Sequence, residues 1–286
     1  MTASAGLAGW LGKTRTEDDL LIPGPARRLL ATLDRDPAAL SEGADLPPLF
    51  HWLYFLGETQ VQHLARDGNP AEGGFPPPQP GSRVMWAGGR LQFLRPLILG
   101  LPAQRTSTVA AIDEKLGSSG PLTIVTLRFS LAQAGEIAVT EEVDVVYRPA
   151  AGAEEAERAP PRGRAEPAVP DTMRTVVFDP VMLFRYSALT FNSHRIHYDR
   201  PYVQTVEGYP GLLVQGPLTA TLLAQLAAEV APGRKLARFA YRALAPLYDG
   251  QPVDLCAQAY GGDLKLWAQD HAGVVAMTAE AAFKGG

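Results

Sequence analysis

Residues 95–102 read RPLILGLP, and residues 245–252 read APLYDGQP. Both stretches follow one pattern of Pro, Leu, two variable residues, Gly, one variable residue and Pro, first at position 96 and again at position 246. An apolar segment that opens with proline precedes each copy, at residues 48–56 and 217–230. Because proline is favoured in the first turn of a helix, both segments are predicted to be helices. The repeat therefore predicts two halves with one architecture.

Strand-like runs with turn residues between them follow each copy of the pattern. Every second residue from Thr123 to Leu131 is apolar or Thr, as in a strand with one buried face. The predicted strands are residues 106–113, 122–131 and 136–147, then 253–260, 264–270 and 274–283. The chain is thus predicted to be α+β, a double (tandem) hot-dog in which each half is a long helix wrapped by an antiparallel sheet. The two sheets are expected to pair edge to edge. Two unrelated α+β domains are the alternative.

Composition sets the domain boundaries. Residues 149–171 are rich in Pro, Ala, Glu and Arg and poor in apolar residues, so they are predicted to be a linker between domains at 1–148 and 172–286. The first half has a further Gly- and Pro-rich stretch at residues 67–82. We expect it to be a surface excursion, or a lid over a pocket.

Several classes of function are excluded by composition and charge. A net charge of −4 argues against binding to nucleic acid, which needs a basic surface. The chain has no apolar run long enough to cross a bilayer and no basic leader, so no membrane partner is expected. The one cysteine, Cys256, cannot form an internal disulfide, which fits a reducing compartment. We therefore predict a soluble cytoplasmic protein.

Chemically active side chains concentrate at residues 192–199, NSHRIHYD, which hold two of the five histidines. An imidazole gains and loses a proton near neutral pH, so His197 is a candidate general acid or base, the alternative being a surface or capping histidine. No third ligand accompanies His194 and His197 at a recognised spacing, so no metal is expected. Ser193 lacks the motif of an activated nucleophile, and Cys256 lies in a predicted strand as a buried structural thiol.

Gly216 lies at the predicted start of the second helix, in the sequence Gln215, Gly216, Pro217. A backbone N–H at a helix start stabilises an anion or a developing oxyanion, and glycine leaves room for the ligand; a plain capping glycine is the alternative. Other residues have two interpretations as well. Three charged side chains either bind a charged substrate group or pair with each other at the surface: Arg195, Asp199 and Arg200. Three aromatic side chains either line a cleft or belong to the core: Trp52, Tyr54 and Trp86.

The loop at 192–197 followed by the helix start at 215–217 resembles the MaoC-like (R)-specific enoyl-CoA hydratases and 3-hydroxyacyl-thioester dehydratases. That family has Asp-x-Asn-Pro-(Ile/Leu)-His before a helix that opens with His-Gly-Met. The resemblance spans nearly the whole chain, with residues 47–49 and 86–100 similar to the degenerate first hot-dog of tandem members. Within the family, variants of Phe-Asn-x-His-Arg-Ile-His-Tyr-Asp recur in mitochondrial-type dehydratases and in mesaconyl-CoA and itaconyl-CoA hydratases.

The resemblance implies that His197 is the catalytic histidine and that the Gly216 N–H holds the thioester oxygen. Asn192 stands where the family has its catalytic aspartate, His194 where it has asparagine and Arg195 where it has proline. An amide takes no proton at neutral pH, so Asn192 is expected to orient water while His197 exchanges protons with it. The further residues expected to bind the substrate are Gln215, Arg195, His194, Asp199, Arg90 and Trp86.

The implied reaction is reversible addition of water to a 2-enoyl thioester, without a cofactor. Only the second half is expected to carry the chemistry, and the first half to contribute the acyl and pantetheine cleft. The expected substrate is a short branched or dicarboxylic acyl-CoA such as mesaconyl-CoA or itaconyl-CoA, and the expected assembly is a homodimer. Three alternatives stay open: a 3-hydroxyacyl-carrier-protein dehydratase, a hot-dog thioesterase, and a non-catalytic module that binds acyl thioesters.

Overall fold

A computed structural model describes residues 7–71, 75, 82–117, 120–149 and 169–285. In this part of the chain, ten strands form one antiparallel sheet. The strands are β1 (Thr14–Leu20), β2 (Ser82–Phe93), β3 (Pro102–Gly117), β4 (Gly120–Gln133), β5 (Glu136–Pro149), β6 (Thr172–Val177), β7 (Leu236–Ala243), β8 (Pro252–Tyr260), β9 (Asp263–Asp270) and β10 (Val275–Phe283). The α-helices are α1 (Pro23–Thr32), α2 (Pro180–Leu189), α3 (Arg200–Thr205) and α4 (Gly216–Val230).

The strand order is β1-β3-β4-β5-β2-β7-β10-β9-β8-β6, so the second half of the sheet repeats the order of the first in reverse. The halves join where β2 and β7 pair antiparallel, as the prediction of edge-to-edge pairing requires. Glycine makes this close approach possible, because a Cβ at Gly88 would lie 2.5 Å from the carbonyl oxygen of Tyr241. All six predicted strands are present, whereas β1, β2, β6 and β7 were not predicted.

The sequence repeat corresponds to a repeated backbone connection. Gly100 and Gly250 have left-handed φ angles of 86° and 77°. The N–H of Gly100 donates to the carbonyl of Leu21, and that of Gly250 to the carbonyl of Phe178, both at 2.8 Å. In each half the accepting residue lies two positions before a helix, α1 or α2, and the pattern ends at the first residue of β3 or β8. The pattern therefore marks structurally equivalent turns.

The two predicted long helices have different outcomes. Helix α4 forms over Gly216–Val230 and buries every residue from Leu218 to Ala227 except Gln225 against the second half of the sheet. The helix predicted at 48–56 is wrong: only one turn of 3-10 helix forms, at Phe50–Leu53. The left-handed backbone of Leu49 and Phe55, with φ of 70° and 56°, interrupts helical geometry on both sides of that turn.

Some other sequence predictions concern residues that the structure describes only in part. The predicted linker falls almost wholly on residues outside the described ranges, as does most of the stretch from 71 to 81. Within the described ranges, no helix is long and apolar enough to cross a membrane. Cys256 is buried in β8, as predicted, and burial raises the pKa of its thiol to about 11.

Candidate active site

Each half has an equivalent connection, and only the connection of the second half contains the loop that carries His197. The N–H of Leu46 donates to the carbonyl of Leu97, and the N–H of Val214 donates to the carbonyl of Leu247, so Leu46 and Val214 occupy equivalent positions. The connection from the end of α1 to this point is residues 33–45, and from the end of α2 it is residues 190–213. The additional residues of the longer connection include the whole 192–199 stretch.

His197 is fixed by the strand-like segment that leads into α4. Its Nδ1 lies 2.8 Å from the carbonyl oxygen of Leu213, and the N–H of Leu213 in turn donates to the carbonyl of Ile196 at 3.0 Å. A carbonyl only accepts, so Nδ1 carries the hydrogen and Nε2 carries a lone pair. Burial of the ring lowers the pKa of His197 to about 4. At neutral pH the ring is therefore a neutral base, with Nε2 as its accepting atom.

Gly216 is the first residue of α4, three positions after the carbonyl that holds His197. Its N–H has no partner one turn earlier within the helix, and the positive end of the helix dipole adds to its field. A Cβ placed on Gly216 would have Met277 Cε as its nearest contact, at 4.0 Å, so the space beside it is open. Pro48 occupies the equivalent position in the first half and has no N–H to donate. Only the second half can therefore supply this donor.

The Gln215 side chain anchors the start of α4 to helix α2. Its side chain is buried, and its Nε2 donates to the carbonyl of Leu183 at 3.0 Å and to Ser187 Oγ at 2.9 Å. Both partners belong to α2, the helix that leads into the 192–199 loop. Gln215 thus ties the start of α4 to α2 and positions Gly216, while its Oε1 is buried without a hydrogen-bond partner in the described structure.

Asn192 builds the turn of the loop. Its Oδ1 accepts the backbone N–H of His194 at 3.0 Å, and its own N–H donates to the carbonyl of Ser187 at 2.8 Å. The side-chain oxygen therefore uses one of its two lone pairs to hold the loop, and the amide NH₂ can contact a water.

His194 packs its ring against that of His197. The ring centroids are 5.6 Å apart and the planes are nearly perpendicular, at 85°. The Nε2 of His194 lies 3.8 Å from Asp67 Oδ2, a carboxylate of the first half. Burial lowers the pKa of His194, against the opposing effect of the Asp67 and Glu207 charges. Both histidines are consequently neutral near pH 7, which no feature of the sequence could show.

A first-half segment that sequence reasoning did not assign to the site holds the loop in place. The N–H of Arg195 donates to the carbonyl of Asp67 at 2.8 Å, and Ser193 Oγ donates to the carbonyl of Gly68 at 2.5 Å. Gly68 has φ of 88°, and a Cβ there would lie 2.0 Å from the carbonyl oxygen of Ser193. The only sequence signal was the Gly- and Pro-rich composition of residues 67–82.

The charged residues of the loop pair with one another. Arg195 contacts the Asp199 carboxylate through Nε at 3.0 Å and Nη2 at 2.7 Å, and its guanidinium lies over the Tyr202 ring. Asp199 also accepts the N–H of Tyr202 and so caps α3. Arg200 pairs with Asp249. This geometry corresponds to the surface-pair interpretation of these residues.

The structure does not bring Arg90 to this site. Its side chain lies between Glu142 and Asp144, with Nη1 2.7 Å from Asp144 Oδ2, and the next residue along the strand, Leu91, is the one that faces the core. Trp86, on the same strand, is 39% exposed, and its indole N–H donates to the Tyr241 hydroxyl at 2.5 Å. Trp86 thus lies at the junction of the two halves, with one face accessible.

A second buried polar group lies in the first half and was not predicted. His51 Nε2 is 3.0 Å from Glu141 Oε2, and the indole N–H of Trp52 donates to Glu141 Oε1 at 2.9 Å. His51 and Pro48 also line a cavity of about 220 Å³ that Ala224 and Ala228 of α4 close on the other side. None of the predicted catalytic residues lines this cavity. Ala224 is eight residues along α4 from Gly216, or about 12 Å at the rise of an α-helix.

No group of three or more His, Cys, Asp or Glu side chains is placed to hold a metal ion in the described ranges. The groups that the described residues bring to the site are a neutral imidazole, a neighbouring imidazole, an amide and a backbone N–H at a helix start. Together they can hold a water and polarise a carbonyl group.

Comparisons with known proteins agree on one family. Residues 49–249 match the family model described as hydroxyacyl-thioester dehydratase type 2. The chain is 43% identical over 278 residues to a mesaconyl-C(4)-CoA hydratase of Chloroflexus aurantiacus, which covers 97% of this chain and 98% of that protein. A solved MaoC-like dehydratase from Phytophthora capsici is similar in fold, with a TM-score of 0.72 at 13% identity over 99% of both chains.

The double hot-dog prediction is confirmed by the same comparisons. A conserved hypothetical protein of Mycobacterium tuberculosis, described as having a double hot-dog fold, is similar with a TM-score of 0.58 at 16% identity, over 96% of both chains. In this chain the second half keeps the long central helix and the first has one 3-10 turn in its place.

Proposed function

Because the chain belongs to the hydroxyacyl-thioester dehydratase type 2 family, we propose that it is a hydro-lyase that adds water reversibly to a 2-enoyl-CoA, with mesaconyl-CoA as the substrate. The observation that carries the reaction is the pairing of a neutral base with an oxyanion donor. His197 is held through Nδ1 by Leu213, and Gly216 opens α4 three residues later. The choice of mesaconyl-CoA follows from the name of the 43% identical relative.

The thioester carbonyl accepts a hydrogen bond from the Gly216 N–H, where the helix dipole stabilises negative charge on oxygen. His197 Nε2 takes a proton from a water held beside the Asn192 amide. The water oxygen bonds to C3, the C2–C3 π electrons move towards the thioester, and the resulting enolate oxygen is held by Gly216. The proton then passes from His197 to C2, so water is added and the base is regenerated. Dehydration is the reverse sequence.

The division of labour between the halves is part of this proposal. Residues 172–286 form the catalytic hot-dog and residues 1–148 the degenerate one, because Pro48 replaces the N–H donor and the longer loop is absent from the first half. The first half contributes the Asp67–Gly68 segment to the site. Beside the partly exposed Trp86, it also contributes a wall of the acyl and pantetheine cleft.

Assembly and location complete the proposal. We expect a cytoplasmic homodimer. Apolar side chains on the edge strand β6 and the adjacent α2 support a subunit contact, since they are exposed in the single chain: Met173, Val177, Val181 and Phe184.

One assay separates the proposed reaction from its alternatives. The purified protein is incubated with crotonyl-CoA, mesaconyl-CoA and itaconyl-CoA, while enoyl absorbance and free thiol are followed together. Loss of absorbance without thiol, fastest for mesaconyl-CoA, supports the proposal. Thiol release identifies a thioesterase, and binding without turnover identifies a non-catalytic module. Turnover of enoyl thioesters only on carrier protein identifies a carrier-protein dehydratase.

A further inference from the structure

The site lacks an acid at the position where the resemblance places one. Asn192 takes no proton at neutral pH, and its Oδ1 is already bonded to the N–H of His194. A water beside His197 Nε2 has a second hydrogen, which needs its own acceptor if the water is to be oriented for attack. The Asn192 oxygen already uses one of its two lone pairs on the His194 N–H, so a further acceptor beside the water would fix the water's orientation.

His194 is placed to supply the second acceptor. Its ring lies nearly perpendicular to that of His197, with the ring centroids 5.6 Å apart. It is partly buried, with a side-chain exposure of 20%, so a water next to it is largely screened from bulk solvent. One ring nitrogen, Nε2, lies 3.8 Å from Asp67 Oδ2, within ion-pair distance. The N–H end of a neutral imidazole is favoured next to a negative charge, which leaves the lone pair on Nδ1.

Asp67 reaches this ring from the first half on a well-anchored turn. Its carboxylate accepts the backbone N–H of Asn69 and the Asn69 side-chain NH₂, both at 2.9 Å. Its carbonyl accepts the N–H of Arg195, the residue after His194. The turn continues into Gly68, whose carbonyl accepts from Ser193, the residue before His194. The carboxylate is therefore fixed relative to the loop by bonds on both sides of the histidine.

We propose that His194 is the second group that holds the attacking water, and that Asp67 is a positioning residue that orients the His194 ring from the other half of the molecule. This inference rests on the proposed hydration reaction. The water donates one hydrogen to His197 Nε2, which takes it as a proton, and the other to His194 Nδ1 as a hydrogen bond. His194 gains no net proton, so the balance of the addition is unchanged. The Asp67–His194 pair thus takes the place of the aspartate that Asn192 replaces.

The charges around His194 determine how loss of the Asp67 carboxylate would change the pH dependence of the rate. The titratable groups that act on it are Asp67, Glu207 and His197, and Glu207 also accepts a hydrogen bond from the Tyr202 hydroxyl. The Asp67 charge opposes the lowering of the His194 pKa by burial. Replacing Asp67 by Asn removes that opposing charge, so the His194 pKa must fall further. The acid limb of the rate profile should then move to lower pH.

The test is a double-mutant cycle on the full chain with mesaconyl-CoA as substrate. Asp67→Asn keeps an acceptor for Asn69 and is expected to lower kcat by roughly tenfold with little change in KM, and to move the acid limb to lower pH. His194→Ala is expected to lower kcat by at least as much. In the His194→Ala background, Asp67→Asn should have no further effect on kcat. Asp34→Asn is the matched control, because Asp34 is an exposed acid in a left-handed position that Asn tolerates.

The outcomes separate this inference from the function on which it rests. If wild type hydrates mesaconyl-CoA but the two substitutions multiply in the double variant, Asp67 does not act through His194 and the inference is wrong. An Asp67→Asn variant with an unmoved acid limb and wild-type kcat overturns it as well. A wild-type protein that hydrates no enoyl-CoA refutes the proposed function, and this inference with it.

Discussion

The Nδ1 of His197 and the carbonyl oxygen of Leu213 are 2.8 Å apart, and this one hydrogen bond determines which ring nitrogen can act as a base. It commits the hydrogen to Nδ1 and the lone pair to Nε2. It also connects the loop that follows α2 to the segment that opens α4, so the base and the Gly216 N–H are positioned by the same few residues. The site therefore depends on how the whole connection between α2 and α4 folds, and not on the 192–199 stretch alone.

Stability should depend on pH through His197. The ring has a pKa of about 4 in the folded chain against 6.5 as the ordinary value, so between these pH values the unfolded state binds the extra proton. The contribution of His197 to the free energy of unfolding is therefore fully present above about pH 6.5. It is lost as the pH is lowered towards 4, by a total of about 3 kcal/mol. His197→Gln should flatten this part of the profile in urea unfolding. His271→Gln, which changes an exposed histidine, should leave the slope as it is in wild type.

Replacing Gly216 by Ala should impair catalysis without harming the fold. The new Cβ would meet only Met277 Cε, at 4.0 Å, so it projects into the open space where the thioester is proposed to bind. We expect kcat/KM to fall by about 10²-fold, as for loss of one oxyanion donor, and Tm to be unchanged or slightly higher. Gly233→Ala is unsuitable as a control because of its φ of 78°. Ala228→Gly, in the same helix, tests helix stability instead and should lower Tm while kcat/KM stays near wild type.

Asn192 should tolerate Asp better than Ala. Asp keeps an oxygen to accept the His194 N–H, so the turn is preserved, whereas Ala loses it at a cost of about 1 kcal/mol. The added negative charge beside His194 should raise the pKa of its ring and move the acid limb of kcat/KM to higher pH. Steady-state rates between pH 5 and 8 and a thermal melt measure both effects. An Asp variant with an unshifted profile and the reduced Tm of Ala would refute this view of the turn.

Gly68→Ala should detach the first-half segment from the loop. The left-handed φ of 88° strains any other residue, and the Cβ would lie 2.0 Å from the Ser193 carbonyl oxygen, so the backbone must move. We expect a loss of about 1–3 kcal/mol in unfolding free energy and a drop in kcat. Gly43→Ala is the matched control: its φ is 80°, but a Cβ there would have no neighbour within 4 Å. Equal loss of activity in both variants would show that the Gly68 contact is unimportant.

Much of the fold followed from short-range patterns. The 96–102 and 246–252 repeats, the alternation of the meander strands and the helix that opens at Gly216 all reflect local geometry. Of the four missed strands, β1 and β6 lie at the sheet edges, and β2 contains glycines required by contacts with its neighbour β7 in the other half. The short turn at Phe50–Leu53 was missed because apolar composition alone cannot distinguish a buried helix from a buried irregular segment.

The candidate site likewise has residues that a local sequence pattern can propose and residues that only the structure brings together. His197, Asn192 and Gly216 lie within one stretch and one helix start, so the sequence alone can propose them as candidates. Asp67 and Gly68 lie more than a hundred positions from the loop they contact, and the contact is made largely by backbone carbonyls, which leave no side-chain signal. The pairing of Arg90 with Glu142 and Asp144 likewise depends on strand register. Such relationships require the structure.

The central claim, that His197 is the base of an acyl-CoA hydratase, is tested most directly by the mass of the acyl-CoA product. Wild-type protein and His197→Gln, whose amide can donate to Leu213 but takes no proton, are each incubated with mesaconyl-CoA, and the thioesters are analysed by mass spectrometry. We expect wild type to add one water molecule with CoA retained, and the variant, folded by circular dichroism, to do so at least about 10²-fold more slowly. A folded variant that adds water at the wild-type rate would contradict it.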